Sequence, residues 1–144
     1  MEIKFSYRAQ GLVMREGRVL LQTPVGEAEY ALPGGHIELG ETAAEALARE
    51  FMEETGAAVT VNGFAWAEEN FFTINGQDYQ QVALTFYVDL TDALPAEDFP
   101  GKEPHLRFHW VPVEELNKIT VYPPNLNELL RREIKHMVRR EWKS

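Results

Sequence analysis

Cysteine is absent from all 144 residues. Without thiols the chain makes no disulfide and no thiolate-bound zinc site, and a reducing compartment is compatible with that. Positive charge is scarce as well. Fourteen Lys and Arg face 23 Asp and Glu, for a formal net charge of −9. DNA, RNA and anionic membranes are bound through clustered cations, so general binding to nucleic acid or to membranes is not expected. Only the tail, "RREIKHMVRREWK", is basic, and it reads as a solvated helix face before it reads as a partner site. No apolar run approaches the roughly 18 residues of a membrane span. The N-terminal "MEIKFSYRAQ" lacks the apolar stretch of a signal peptide. A soluble cytoplasmic protein is therefore the expectation. What is present is a 44% apolar composition, enough for one core, in a length that suits one domain over residues 1–144.

Periodicity divides the chain into strands and two helices. Residues 9–15 and 18–23 flank the turn signal Glu16-Gly17 and predict a hairpin. "EYALPGG" predicts a short strand ending at Pro33. Helical signals run from 42 to 55, and Gly56 is placed to end them as a C-terminal cap. "AVTVNGFAWAEENFFTI" predicts a strand with a bulge or bend at Gly63. "NGQDY" is a turn, and "YQQVALTFYVDL" is the clearest strand. "TDALPAEDFPGKEPH" is a loop, "LRFHWVPV" a strand, and "VEEL" a short helical turn. From 124 to about 141, Leu126, Leu129, Leu130, Ile134, Met137 and Val138 recur at helical spacing and predict a C-terminal helix. The fold class expected is α+β, a mixed sheet between a central and a C-terminal helix.

The central helix is chemically unusual. Residues 30–57 hold six carboxylates, and Glu50, Glu53 and Glu54 fall within five residues. Thr42 and Glu45 form a capping box, which explains one of the six. At about 100° per residue, Glu53 and Glu54 lie roughly 60° and 40° to either side of Glu50. All three share one stripe. Ala44, Leu47, Ala48 and Phe51 centre roughly 110° away and predict the core face, which puts the carboxylates on its shoulder. Like charges at these spacings repel, and anions in the last turns oppose the helix dipole. Arg49 is the helix's one cation, and its direction on the wheel leads away from the stripe. A bound divalent cation such as Mg²⁺, which takes oxygen ligands, reverses each of these unfavourable interactions. The alternative is an acidic, solvated helix, since Glu is a good helix former. The preceding loop favours the first reading. Gly34, Gly35 and Gly40 alternate with His36, Glu38 and Glu41, as in a loop folded onto the helix, and Arg49 is placed to tie it down through Glu41.

At this point the sequence resembles the Nudix hydrolases, whose motif is G-x5-E-x7-R-E-U-x-E-E-x-G-U, with U a bulky apolar residue. Here it runs from Gly35 through Glu41 to Arg49-Glu50-Phe51-Met52-Glu53-Glu54-Thr55-Gly56-Ala57. Only Ala57 departs, being smaller than usual. The resemblance implies an α/β/α sandwich. It implies Mg²⁺ or Mn²⁺ held by Glu50, Glu53, Glu54 and the backbone carbonyl of Gly34, with Glu41 and Arg49 bracing the loop against the helix. It also implies hydrolysis of a nucleoside diphosphate linked to another group, with catalytic roles for Arg49, Glu53 and Glu54. Members are often dimers, so a homodimer is the weaker expectation for this chain. The general base would be a motif glutamate or one from a later loop. Glu103, in "PGKEPH", is the later-loop candidate, beside the alternative of an ordinary surface glutamate, with Glu97, Asp98, Glu68 and Glu69 competing.

Substrate markers are thinner. The proline that follows the motif in ADP-ribose pyrophosphatases is missing, since nothing between Pro33 and Pro95 is proline. The tyrosine of dinucleoside polyphosphate hydrolases is replaced by "FFTI", and the aromatic signature of NADH-cleaving members is absent. A nucleoside tri- or diphosphate is thus expected first, and ADP-ribose or a nucleotide sugar second. A non-catalytic nucleotide sensor is the third reading, disfavoured because such proteins commonly lose a motif glutamate. For the pocket, "WAEENFF" offers Trp66, Glu68, Asn70, Phe71 and Phe72, and the following strand offers Tyr79 or Tyr87. Phe71, Tyr87 and Trp110 read first as core. Phe5 and Tyr7 suit a pocket or a subunit interface. The four histidines share no metal spacing.

Overall fold

The computed structural model describes residues 2–142. Its strands are β1 (Ile3–Leu12), β2 (Met14–Arg15), β3 (Arg18–Pro24), β4 (Glu29–Ala31), β5 (Gly34–His36), β6 (Val59–Ile74), β7 (Gln77–Leu90), β8 (Phe99–Pro100), β9 (Leu106–Pro112), β10 (Thr120–Tyr122) and β11 (His136–Glu141). The helices are α1 (Ala43–Thr55) and α2 (Leu126–Arg131), with a 3-10 turn at Val113–Lys118. Among the described residues no helix is long and apolar enough to cross a membrane.

Local chemistry explains most boundaries. The expected hairpin forms through β2 and β3, with Glu16 and Gly17 both at positive φ. Thr42 accepts from the Glu45 N–H, and the Glu45 carboxylate accepts from the Thr42 N–H, so the capping box is complete. Gly56 ends α1 in the left-handed conformation. The β6–β7 ladder shifts register between Val61 and Gly63, where the bend was expected.

Two sheets, rather than one, form the middle of an α/β/α sandwich. The first has the order β11-β6-β7-β1-β5 and is mixed, because β1/β7 and β6/β11 run parallel and the other pairs antiparallel. The second has the order β10-β4-β3-β9-β8, with β2 beside β3. Leu47 and Phe51 of α1 pack with Ala9, Leu20, Val88 and Phe108 from both sheets. On the other side, Leu126 and Leu129 of α2 and Leu116 of the 3-10 turn pack with Leu12, Val19 and Trp66.

The C-terminal helix expected over 124–141 is cut to six residues and followed by a six-residue strand. Helical structure stops at Arg131, Arg132 is extended, and β11 adds to β6 in parallel from His136 to Glu141. The helical spacing was real, because Leu126, Leu129, Leu130, Ile134 and Met137 all face one core. What overrode it is the long open edge of β6. Its unpaired backbone groups offer ladder hydrogen bonds to any extended segment that reaches them.

Candidate active site

α1 places its carboxylates closer to the protein body than the helical wheel suggested. The buried residues of the helix are Ala46, Leu47, Phe51 and Glu54. The buried face therefore centres near Glu54, and Ala44 and Ala48 are only partly covered. The difference from the expected core face is Ala46, which is small enough to sit against a sheet and turns the buried stripe toward Glu54. Glu54 is consequently only 6% exposed, whereas the Glu53 side chain stands half in solvent at 50%.

Burial sets the charge state. Desolvation first, and then the neighbouring Glu50 carboxylate, push the Glu54 carboxyl from its ordinary 4.5 up to about 8, against the opposing pull of Arg8. In the metal-free protein Glu54 thus keeps its proton to about 8 when folded and loses it near 4.5 when unfolded. The folded state binds the extra proton across that window, so its stability falls as pH rises and levels off above it. We expect the metal-free melting temperature to decline between pH 5 and 8, and Glu54→Gln to flatten the decline, as measured by thermal denaturation in a chelator. An equally steep decline in the variant would contradict this assignment.

The loop ahead of α1 is bound to it as a unit. Arg49 Nε donates to Glu41 Oε2 at 2.7 Å and Nη2 donates to Glu41 Oε1 at 2.9 Å. Nη2 also donates to the His36 carbonyl at 3.1 Å. Glu41 accepts from the Glu38 N–H at 3.0 Å, closing the turn. Arg49 holds Glu41 down at about 2, and its carboxylate partners, Glu41 foremost, hold the guanidinium above its ordinary value. One expectation is corrected here. Arg49 does not turn away from the carboxylate stripe, since Nη1 donates to Glu50 at 3.1 Å and to Glu53 at 3.2 Å. The long side chain and five-donor fork of arginine reach residues that the Cβ direction alone does not.

The residues fit a divalent cation. A Cβ on Gly35 would collide with the Glu50 carboxylate, so only glycine lets that carboxylate close on the β5 backbone that carries the Gly34 carbonyl. Three carboxylates and one carbonyl are hard oxygen donors of the kind Mg²⁺ and Mn²⁺ take. Among the described residues no three His, Asp or Glu side chains are gathered tightly enough to hold an ion, and Arg49 pairs with Glu50 and Glu53. A cation would compete with that guanidinium for the same two carboxylates.

The loop carrying Glu103 is pinned at the end of α1, where the Lys102 N–H donates to the Glu54 carbonyl at 2.7 Å. Glu103 acts electrostatically on Glu54. Its rivals lie in other settings. Asp98 accepts from His109 at 2.9 Å, Glu69 pairs with His136 at 2.7 Å, and Glu68 lies in a separate cleft. The histidines otherwise make ordinary hydrogen bonds, such as His109 with Thr23 at 2.8 Å.

That cleft, of about 660 Å³, lies between the two sheets, with Gln81 of the first facing Gln22, Tyr30 and Tyr122 of the second. Glu68, Asn70 and Phe72 line it as expected, whereas Trp66 and Phe71 are buried and do not. Tyr79 does not line it but stacks on Phe72 at 5.3 Å between ring centroids. Glu68 is 2% exposed and accepts from Gln10 at 2.8 Å, Trp66 at 3.0 Å and Asn70 at 3.2 Å. Phe71 and Trp110 are buried, but Tyr87 is 47% exposed, against the core reading. It pairs with Gly63 at the β6 bulge, which presents no side chain to cover it. Phe5, at 67% exposure, and Tyr7, at 38%, stack on each other on the outer surface, away from the cleft.

Sequence reasoning missed Arg8, Gln10, Gln81, Tyr122 and Arg139, all of which line the cleft. Arg8 lies within electrostatic reach of Glu50, Glu54 and Glu68, which connects the motif to the cleft. The signal for Arg8 and Gln10 was alternation along β1, where a row of polar residues faces opposite to Ala9.

Comparison with known proteins agrees with this arrangement. A family model described as the NUDIX domain matches residues 6–132. MutT4 of Mycobacterium tuberculosis is 33% identical over 113 residues, covering 78% of this chain and 40% of its own length. A MutT-like protein of Streptomyces ambofaciens is 39% identical over 66 residues, covering 45% of this chain and 43% of its own. The chain thus spans about two fifths of the length of these curated relatives. Among solved structures, a MutT protein from Bacillus halodurans superposes with a TM-score of 0.68 at 17% identity, covering 91% of this chain and 86% of that one, and so shares the fold. With 6–132 matched and the motif glutamates set against the β5 loop, the chain belongs to the NUDIX family.

Proposed function

We propose that the protein is a Mg²⁺-dependent pyrophosphohydrolase acting on a nucleoside tri- or diphosphate. The observation that carries this reading is the set of Glu50, Glu53 and Glu54 on one face of α1, with Glu50 closed against Gly35 and Arg8 bridging to the cleft. Glu50, Glu53, Glu54 and the Gly34 carbonyl would hold the cation. When bound, it neutralises phosphate oxygens and lowers the pKa of attacking water. The chain's own residues do the rest. Arg49 and Glu41 fix the angle between loop and helix, so that ligands on two elements stay in register. Arg8 offers positive charge to a phosphate between Glu54 and Glu68. Glu103, whose side chain is 45% exposed, would accept the proton of the attacking water. The cleft is within the size range that holds a nucleoside.

A panel of nucleoside tri- and diphosphates incubated with protein and Mg²⁺, with phosphate and pyrophosphate assayed, tests the reading. Release from at least one member, abolished by chelator, is expected. Release of a nucleoside monophosphate and a sugar phosphate only from nucleotide sugars or ADP-ribose would replace it with that alternative. Tight nucleotide binding with no turnover would make the protein a sensor.

A further inference from the structure

Arg139 sits on β11, beyond the residues matched by the family model, and it is part of the cleft wall. β11 and β5 form opposite edges of the first sheet. At about 4.8 Å per strand step, four steps separate Arg139 from the Gly34 end, roughly 19 Å across the sheet. Asn70 and Gln81 lie between, since Arg139 is in register with Asn70, Asn70 with Gln81, and Gln81 with Ser6 of β1. The cleft thus reaches from Arg8, within electrostatic range of Glu50 and Glu54, to Arg139 at the far edge of the sheet.

The guanidinium is held but not consumed. Its Nη1 is 3.9 Å from Glu68 and its Nε 3.5 Å from Glu141. Both lengths exceed those of good N–H···O hydrogen bonds, so its donors stay available. It lies 5.8 Å over the Tyr122 ring, and its side chain is 23% exposed. Glu27, Glu29, Glu68 and Glu141 line the cleft against Arg8 and Arg139, so negative charge outweighs positive there. A second phosphate at that end is disfavoured, whereas a neutral acceptor is not. Tyr122, with Arg139 over one face, and Phe72, stacked on Tyr79, line the cleft with aromatic surface that suits a planar ring better than a sugar.

We propose that Arg139 selects nucleotides whose base carries a ring carbonyl, by donating to that oxygen from the far wall of the cleft. The inference rests on the nucleotide reading above. Adenine has no ring carbonyl, so it is the discriminating ligand.

The test measures binding without turnover. Nucleoside monophosphates of guanine, uracil, cytosine and adenine are titrated by calorimetry in chelator. The wild type is expected to bind the three carbonyl-bearing bases about tenfold or more tighter than adenine, as a hydrogen bond from a charged donor allows. Arg139→Ala is expected to erase the ratio by weakening the three and sparing adenine, and Arg139→Lys to restore part of it. If Arg139→Ala does not fold, as judged by its melting curve, the ratio in Arg139→Lys decides, and an unchanged ratio there sinks the proposal. Absence of any preference in the wild type, a ratio retained in Arg139→Ala, equal loss for all four ligands, or no measurable binding would each overturn it. Failure of the hydrolysis panel alongside a base preference that depends on Arg139 would overturn the pyrophosphohydrolase reading instead.

Discussion

Replacing Glu53 with Gln is expected to lower Mg²⁺-dependent turnover about a thousandfold, the scale at which single electrostatic groups act on a transition state, while leaving the fold intact. Glu53 is the half-exposed member of the stripe and accepts from Arg49 at 3.2 Å. Gln keeps the length and the helix propensity of Glu. It removes one of three like charges in adjacent turns, so the metal-free melting temperature should stay level or rise. Activity and stability then move in opposite directions, which a merely structural role does not produce. Steady-state kinetics and thermal denaturation on the same preparation check both halves. A loss below tenfold would remove Glu53 from the site.

Arg49→Ala is expected to have the second largest effect, and it should damage both properties. The side chain joins Glu41, Glu50, Glu53 and the His36 carbonyl, so its loss frees the loop and leaves the carboxylates facing one another. Outer groups that orient metal ligands are typically worth about 10–100-fold in activity or metal affinity. We expect about a hundredfold loss of kcat/KM and a melting temperature lower by about 4 °C or more. Arg49→Lys should recover the charge but not the fork. Lys has three donors on one nitrogen and does not reproduce the paired contacts to Glu41. Its activity should stay at least about tenfold down, with most of the stability regained. Kinetics equal to wild type in the lysine variant would show that charge alone suffices.

The parts of this molecule legible in the sequence are those that local chemistry determines. Thr42, Glu45 and Gly56 bound α1 because caps act within a few residues. Glu50, Glu53 and Glu54 stood out because like charges in adjacent turns are costly without a ligand. The cleft was half visible. Glu68, Asn70 and Phe72 lie close to the motif in sequence, whereas Arg8, Gln81 and Arg139 join them only through strand pairing. Strand order depends on long-range partners that periodicity does not encode. The C-terminal segment makes the same point. Its apolar spacing fits a helix, yet the open edge of β6 recruits it as β11. The chemistry of "RREIKHMVRREWK" consequently lies partly in a cleft wall and not only on a solvated helix face.

A divalent cation held by the α1 carboxylates underlies the proposed hydrolysis. Calorimetric titration of Mn²⁺ into the metal-free protein, beside the Glu50→Gln/Glu53→Gln double variant, tests it most directly. The account predicts saturable binding in the wild type, accompanied by a rise in melting temperature, and loss of both signals in a variant that melts no lower than the metal-free wild type. Equal binding by the two proteins, or none by the wild type, would contradict it.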